Sequence, residues 1–231
     1  MEKMEHIHYM PAGPLMDVTV MTGTLKEVYL PHLICIDDIP DILNQFAVLH
    51  INDCGDEVEE VSEVTASHVK LKEPIFSPRG VLMRADLPVK INCNVLIYQT
   101  NTAFLTLHVY LIPRDDGLKQ AITQEKLSEG CKEIRKTKPE KSLKFRNRFL
   151  LTADVDGAEI YPEEGLKLRY DTDPNFFEVY IKNPNRDFHL KLTKRNELQS
   201  VWMCPVREEN LSDPFRPARC SSCLPCCLFF R

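Results

Sequence analysis

The sequence contains no apolar stretch long enough to cross a lipid bilayer. Its longest uninterrupted apolar run extends from Cys226 to Phe230, whereas a membrane-spanning helix needs about 20 residues. The N-terminal residues 1–6 are charged and no apolar stretch follows them, so we recognise no signal peptide and expect no oxidising compartment. These absences predict a protein without a membrane span that works in the cytosol.

The sequence also lacks a cluster of basic residues. Its net charge is −5, with Lys and Arg scattered along the chain, which argues against nucleic acid as a partner. A Walker-type phosphate-binding loop is missing as well. With 231 residues, 43% of them hydrophobic and 27% charged, the chain is long enough for one or two small domains with their own core.

Cysteine is abundant, with nine residues, but its spacing forms no complete metal-ligand pattern. Four cysteines lie in the tail: Cys220, Cys223, Cys226 and Cys227. They belong either to an irregular terminus or to a site of reversible acylation. A zinc site stays a third possibility, although it would need a second pair of ligands that the sequence does not offer. We expect no bound metal and no cofactor. The remaining cysteines are scattered and are expected to be small core residues: Cys35, Cys54, Cys93, Cys131 and Cys204.

Most of the chain alternates β-branched or aromatic residues with polar ones, which is the period of a β-strand. Residues 94–100 and 103–112 predict a hairpin closed by a short turn that contains Asn. The same pattern predicts later strands at 148–153, 166–170, 176–181, 188–193 and 200–206. Their number and spacing are typical of a β-sandwich. We therefore predict an all-β fold.

One segment has the period of a helix instead. Asp115 and Asp116 are candidate caps at its start, and Gly130 is a typical stop. The apolar stripe between them is formed by Leu118, Ile122 and Leu127. We predict one short helix within the β structure.

The tripeptide Phe76-Ser77-Pro78 is where we expect chemistry. A serine beside a peptide bond can attack that bond, and the following proline pushes the serine backbone into extended geometry. His50 lies 27 residues upstream of Ser77, and Glu59 follows His50 by nine residues. Serine, imidazole and carboxylate are the three parts of an activated hydroxyl nucleophile. Spacing alone does not single out this triple, because the chain has seven His and 34 acidic residues.

These residues resemble the autoprocessing site of the function-to-find domain (FIIND) of inflammasome-forming NLR proteins and CARD proteins. That domain is related to the ZU and UPA modules of ankyrins, netrin receptors and the death-domain protein PIDD. The resemblance extends from about Met10 to Arg207 and implies two β-sandwich-like subdomains. They are a partial ZU-like subdomain at 1–76 and a UPA-like subdomain at 77–207, followed by a cysteine-rich tail at 208–231. Further matching segments are Ala12-Gly13-Pro14-Leu15, Tyr29-Leu30-Pro31-His32, Gly80-Val81-Leu82 and Leu107-His108-Val109-Tyr110-Leu111-Ile112-Pro113.

The resemblance implies that the protein cuts its own chain before Ser77. Ser77 would be the nucleophile, Phe76 the donor of the scissile carbonyl, His50 the base and Glu59 the partner that orients the base. Such a protein would be an enzyme only in the sense of one intramolecular serine autoproteolysis, without a substrate in trans. Its two halves would stay non-covalently associated.

The acidic partner of His50 has close competitors in the sequence. Glu57 and Glu60 flank Glu59 in a stretch, 51–65, that is rich in acidic residues. Alternate residues of a strand face opposite sides, but the pattern does not fix which side faces His50.

The resemblance also implies protein partners, namely other FIIND or UPA copies, cytosolic dipeptidyl peptidases and CARD-bearing relatives. The first half is shorter than in the family, and no CARD, nucleotide-binding or leucine-rich region is recognised, so we expect a regulator without its own effector domain. Two functions stay open, a self-cleaving regulatory module and a non-cleaving interaction module of the same fold. A metal-binding or lipid-anchored protein that uses its cysteine tail is a third.

Overall fold

The computed structural model of the protein describes residues 8–211, with gaps at 38, 53, 73, 75–76, 103, 171–172 and 183–186. About 47% of the structure is β-strand and about 10% is helix. This content confirms the predicted all-β fold.

Nine strands occupy the described part of the first 91 residues, and most pair within that region. Their bounds are β1 (Tyr9–Met16), β2 (Glu27–Pro31), β3 (Ile34–Cys35), β4 (Phe46–His50), β5 (Glu57–Glu60), β6 (Glu63–Val64), β7 (His68–Lys72), β8 (Arg79–Arg84) and β9 (Lys90–Ile91). A one-turn helix, α1 (Ile42–Gln45), precedes β4. The strands form antiparallel sheets in the orders β1-β8-β4-β5 and β2-β7-β6.

A second group of strands follows residue 92 and forms two larger sheets. Among the described residues these strands are β10 (Cys93–Gln99), β11 (Leu105–Pro113), β12 (Lys132–Glu133), β13 (Leu143–Lys144), β14 (Arg148–Ala153), β15 (Ala158–Tyr161), β16 (Leu166–Lys167), β17 (Phe176–Ile181), β18 (Phe188–Lys194) and β19 (Ser200–Val206). The sheet orders are β12-β10-β11-β17-β15 and β16-β14-β18-β19, while β13 joins β9 and β3 in a small sheet.

Strand positions in this second half follow the sequence pattern closely. The predicted hairpin is present as the antiparallel pair β10 and β11, and β14, β17 and β19 coincide with their predicted bounds. The prediction of a strand over 166–170 is wrong beyond Lys167. Leu168 still hydrogen-bonds to Asn147 O and to the N–H of Arg146, at 2.8 and 2.9 Å, but Arg146 has a φ of 63°, and this left-handed conformation interrupts the regular ladder.

The predicted helix is α2 (Asp116–Ser128), and its ends use the expected residues. The Asp115 carboxylate caps the helix by accepting a 3.0 Å hydrogen bond from the N–H of Leu118. Gly130 follows the helix with a φ of 79°, a conformation that favours glycine. The predicted stripe is wrong at one position, since Leu127 is 53% exposed and Lys126 is buried instead.

Buried side chains of both halves belong to one continuous core, which includes Val48 and Val81 of the first half and Val109 and Leu190 of the second. A smaller cluster lies between α2 and the sheet that carries β10 and β11, so β11 is covered on both faces. At Gly13 a Cβ atom would lie 2.3 Å from the carbonyl oxygen of Pro31, so only glycine fits this close approach.

The scattered cysteines are only partly the core residues that we expected. Cys93, Cys131 and Cys204 are buried thiols, as predicted, whereas Cys35 is half-buried and Cys54 is exposed. Cys54 lies between β4 and β5, where its N–H donates to Asn52 Oδ1 and its side chain is exposed. Burial raises the pKa of Cys204 to about 11, in keeping with an unreactive thiol. The four tail cysteines lie outside the described residues.

Within the described ranges, no helix is both long and apolar enough to traverse a bilayer.

Candidate functional site

The candidate site lies where β4 ends beside the start of β8. These two strands pair antiparallel, with His50 opposite Arg79. The pairing continues one residue further, because the N–H of Ile51 donates to Pro78 O at 3.0 Å. Ser77 immediately precedes this point. The fold thus brings Ser77 beside the end of the strand that carries His50, although 27 residues separate the two in sequence.

Strand geometry also decides which face these side chains share. Directly opposed residues of an antiparallel pair point to one face, and residues two apart along a strand share that face. His50 and Arg79 therefore lie on the same face, while Ser77 lies in a bend two residues before β8 begins.

The structure distinguishes among the three candidate glutamates. Glu59 Oε1 lies 2.9 Å from His50 Nδ1, and Glu59 pairs in register with Val48, two residues before His50. Glu57 is the direct register partner of His50 but is exposed. Glu60 pairs with Ala47 and so faces the opposite side. Of the three, Glu59 is the one in ion-pair contact with His50.

Arg79 is a site residue that our sequence analysis missed. Its side chain is only 2% exposed, and its Nη2 donates to Glu59 Oε1 at 2.8 Å. A second, longer hydrogen bond of 3.4 Å runs from Arg79 Nε to Glu59 Oε2. Neighbouring strands are about 4.8 Å apart, so the Arg79 side chain crosses over β4 to reach β5. No sequence spacing reveals such a contact, because it depends on the register of three strands.

Two side chains of the site hold buried polar atoms without a hydrogen bond among the described residues. They are Ser77, through its Oγ, and His50, through both ring nitrogens. The contact between His50 Nδ1 and Glu59 is short in distance, but its angle does not meet hydrogen-bond geometry. A buried polar group without a partner costs about 1–3 kcal/mol. Such groups are rare in folded proteins and often mark functional positions.

The arrangement has the parts that an activated hydroxyl needs. His50 is 3% exposed and can accept a proton at one ring nitrogen while the Glu59 carboxylate lies at the other. The Ser77 hydroxyl is also buried, one residue before the Pro78 carbonyl that accepts from the N–H of Ile51. Ser77 Oγ and His50 Nε2 are not hydrogen-bonded to each other here, and contacts of this type often tighten only when the reaction proceeds. Phe76, predicted to donate the scissile carbonyl, lies outside the described residues.

Metal ligands do not accumulate at this site. Within the ranges that the structure describes, no three His, Cys, Asp or Glu side chains are grouped closely enough to hold an ion.

Comparison with known families divides the chain into two matched regions. The family model described as "Function to find" (FIIND) matches residues 1–89. The family model of the UPA-FIIND domain matches residues 91–206. Together the two models cover nearly all of the described residues.

Individual relatives match over most of this chain but over a small part of their own length. A "NACHT, LRR and PYD domains-containing protein 1 homolog" of Danio rerio is 35% identical over 202 residues, which is 87% of this chain and 14% of the relative. The "NACHT, LRR and PYD domains-containing protein 1b allele 5" of Mus musculus is 28% identical over 210 residues, 87% of this chain and 17% of that protein. A Rattus norvegicus relative, "NACHT, LRR and PYD domains-containing protein 1a allele 1", is 29% identical over 224 residues, 93% of this chain and 18% of its own. The chain thus spans less than a fifth of each of these relatives.

Proposed function

The chain belongs to the FIIND family, with a UPA-FIIND domain as its second half, and we propose that it is a regulatory module of innate-immune signalling that cleaves its own backbone between Phe76 and Ser77. We place this activity in the cytosol. Cleavage happens once per chain, and the two halves remain non-covalently associated afterwards. The partners that we propose are other FIIND or UPA copies, dipeptidyl peptidases and CARD-bearing relatives.

One observation supports this proposal: Ser77 Oγ and both ring nitrogens of His50 are buried without hydrogen bonds in segments joined by the Ile51–Pro78 backbone hydrogen bond, and the Glu59 carboxylate lies 2.9 Å from His50 Nδ1. A purely structural site would normally satisfy these atoms, because leaving them unpaired is costly. A site that must activate a hydroxyl needs this set of groups in this order.

The proposed reaction uses only groups of the chain and one water. His50 takes the proton of the Ser77 hydroxyl while Oγ attacks the carbonyl carbon of Phe76. The C–N bond of Phe76-Ser77 breaks, the Ser77 nitrogen takes up a proton, and an ester joins Phe76 to Ser77 Oγ. Water then hydrolyses the ester, which leaves a carboxylate on Phe76 and a free amine and hydroxyl on Ser77. Because the fold already holds the two groups together, effective molarities of order 10⁵ M are attainable.

The strand order explains why the halves would stay together after cleavage. Ser77 is followed directly by β8, and β8 lies between β1 and β4, which both precede the cut. Antiparallel ladders join β8 to each of these neighbours. The second piece therefore begins with a strand held on both sides by the first piece.

Site-directed variants test the proposed cleavage. The unaltered chain should yield two pieces on a denaturing gel, with Ser77 as the first residue of the second piece. Ser77→Ala and His50→Ala should remain whole, while Ser67→Ala, which alters an exposed serine, should be cut like the unaltered chain. Cleavage of Ser77→Ala at the same bond would refute self-processing by this serine.

A non-cleaving interaction module of the same fold is the second candidate function. It is favoured by the missing hydrogen bond between Ser77 Oγ and His50 Nε2. In that case the unaltered chain stays whole, and the UPA-FIIND half acts by associating with other copies or with CARD-bearing relatives. The gel that tests cleavage separates the two functions directly.

A further inference from the structure

The Glu59 carboxylate is shared between two side chains, and they do not hold it equally well. Its Oε1 is 2.8 Å from Arg79 Nη2 and 2.9 Å from His50 Nδ1. The contact with Arg79 satisfies hydrogen-bond geometry and is supported by the second contact from Arg79 Nε to Oε2. The contact with His50 is close but poorly aligned. The position of the carboxylate is therefore set mainly by Arg79.

Arg79 is itself rigidly placed for this task. It is 2% exposed, and its backbone is fixed opposite His50 in the β4–β8 ladder. A guanidinium keeps its charge in proteins and presents a planar set of donors that fits a carboxylate. Glu59, by contrast, is 28% exposed and belongs to the edge strand β5. Of the two partners, the buried arginine is the anchor and the glutamate is the group that it orients.

We propose that Arg79 is a positioning residue for self-cleavage, holding the Glu59 carboxylate against His50 Nδ1. This inference rests on the proposed self-cleavage. Arg79 is given a positioning role and not a catalytic one. It acts through Glu59, which keeps the His50 ring oriented so that the other nitrogen can accept the proton of Ser77. A chain without the guanidinium would keep its nucleophile and base but lose the fixed orientation of the base.

The rate of cleavage should be measured during cell-free synthesis, by following the disappearance of the uncut chain after synthesis is stopped. Arg79→Met, which removes the charge and keeps an unbranched side chain, should slow cleavage at least about tenfold, since orienting carboxylates of such triads contribute more than this. Arg79→Lys, which keeps a positive charge but loses the planar fork of donors, should give a rate between those of Arg79→Met and the unaltered chain. Arg84→Met on the same strand is the control, because Arg84 is exposed.

A double variant separates positioning from a structural role. If Arg79 acts only through Glu59, then adding Arg79→Met to Glu59→Gln should change the rate by less than about twofold, because interacting residues are not additive. A structural role predicts the full loss again in the Glu59→Gln background, and that result would overturn the proposal. Thermal unfolding of each variant identifies misfolded proteins, and Arg79→Gln replaces Arg79→Met if the latter does not fold.

The outcomes also separate this inference from the proposed function. If neither the unaltered chain nor any variant is cut, self-cleavage itself fails. If the unaltered chain is cut, Ser77→Ala is not, and Arg79→Met is cut at the unaltered rate, then only the role of Arg79 fails.

Discussion

At the scale of single residues, the site depends on which glutamate meets His50. Glu59 contacts the imidazole, whereas Glu60 is exposed and points to the other face of β5. We expect Glu59→Ala to slow cleavage by at least about tenfold, since it removes the group that orients the base. Glu60→Ala should leave the rate unchanged. The time course of uncut chain on denaturing gels measures both, and a larger loss in Glu60→Ala than in Glu59→Ala would contradict the site geometry.

A matched test concerns Glu57, the direct register partner of His50. Its backbone is opposite His50, but its side chain is exposed and makes no ion pair with His50 among the described residues. Glu57→Ala should therefore be cut at nearly the unaltered rate. The same gels measure it, and a rate as low as that of Glu59→Ala would show that register, not contact, selects the acidic partner.

The residues of the site were predictable to different degrees. Ser77 and His50 stand out once their pattern is compared with the family; His50 ends β4, and Ser77 lies two residues before β8 begins. Glu59 could not be chosen over Glu57 and Glu60, because the choice depends on which face of β5 turns towards His50. Arg79 was not predicted at all, since its contact with Glu59 crosses a strand that lies between them.

At the scale of elements, β8 is the strand that would join the two pieces after cleavage. Met83 is fully buried and pairs with Phe46 of β4 and Met10 of β1. We expect Met83→Ala to lower the free energy of unfolding by about 2–4 kcal/mol through the loss of buried contacts and the cavity left behind. Denaturant titration of the uncut Ser77→Ala background measures this change.

The same Met83→Ala variant also tests how strongly the two pieces associate after cleavage. In the cut protein, Met83→Ala should also make the pieces separate at a lower denaturant concentration, as seen by size-exclusion chromatography. Arg84→Ala is the control, because its exposed side chain contributes little to the sheet. If the unaltered pieces separate in native buffer, the pairing of β8 with β1 and β4 does not hold them together.

The helix cap at the start of α2 can be tested independently of cleavage. Asp115 caps the helix by accepting from the N–H of Leu118, and it also accepts a 2.7 Å hydrogen bond from the Tyr170 hydroxyl. Asp115→Ala should lower the free energy of unfolding by about 1–2 kcal/mol. Asp116→Ala, which removes an acidic residue from the first turn, should cost only about 0.3–1 kcal/mol. Equal losses in denaturant titration would contradict the capping role of Asp115.

Elements with a strong local pattern were predictable, and short ones were not. β14, β17 and β19 each alternate over six or seven residues, so their bounds could be taken from the sequence. Strands of two residues, such as β3 and β9, are too short for any period. The burial of Lys126 in α2 could not be predicted from the sequence either. The Lys126 ammonium forms an ion pair with Glu129 at 2.9 Å, and this contact exists only once the end of the helix has folded.

At the scale of the whole molecule, two histidines make the free energy of unfolding depend on pH: His32, which is buried, and His108, which is half-buried. Burial lowers the pKa of His32, and burial together with the nearby Lys126 lowers the pKa of His108. Above the ordinary histidine pKa of about 6.5 both states of the chain are neutral at these positions. As the pH falls below that value the unfolded chain binds protons and the folded chain resists them, so stability decreases.

This dependence can be measured on the uncut Ser77→Ala chain. Its thermal midpoint should fall between pH 7.5 and pH 5, and His108→Phe should make the fall shallower. Phenylalanine suits this position because His108 already packs against the Phe176 ring, with centroids 4.2 Å apart. His8→Asn, which replaces an exposed histidine, is the control. An identical pH profile for Ser77→Ala with and without His108→Phe would show that His108 does not contribute.

The intact mass of the purified, unaltered chain under denaturing conditions decides whether the chain cleaves itself. We predict two species, residues 1–76 and 77–231, whose masses add up to that of the whole chain plus one water. Ser77→Ala should give one species with the mass of the uncut chain. An unaltered chain of full-length mass, folded and stable over days, would contradict the account and leave the non-cleaving interaction module as the function of this fold.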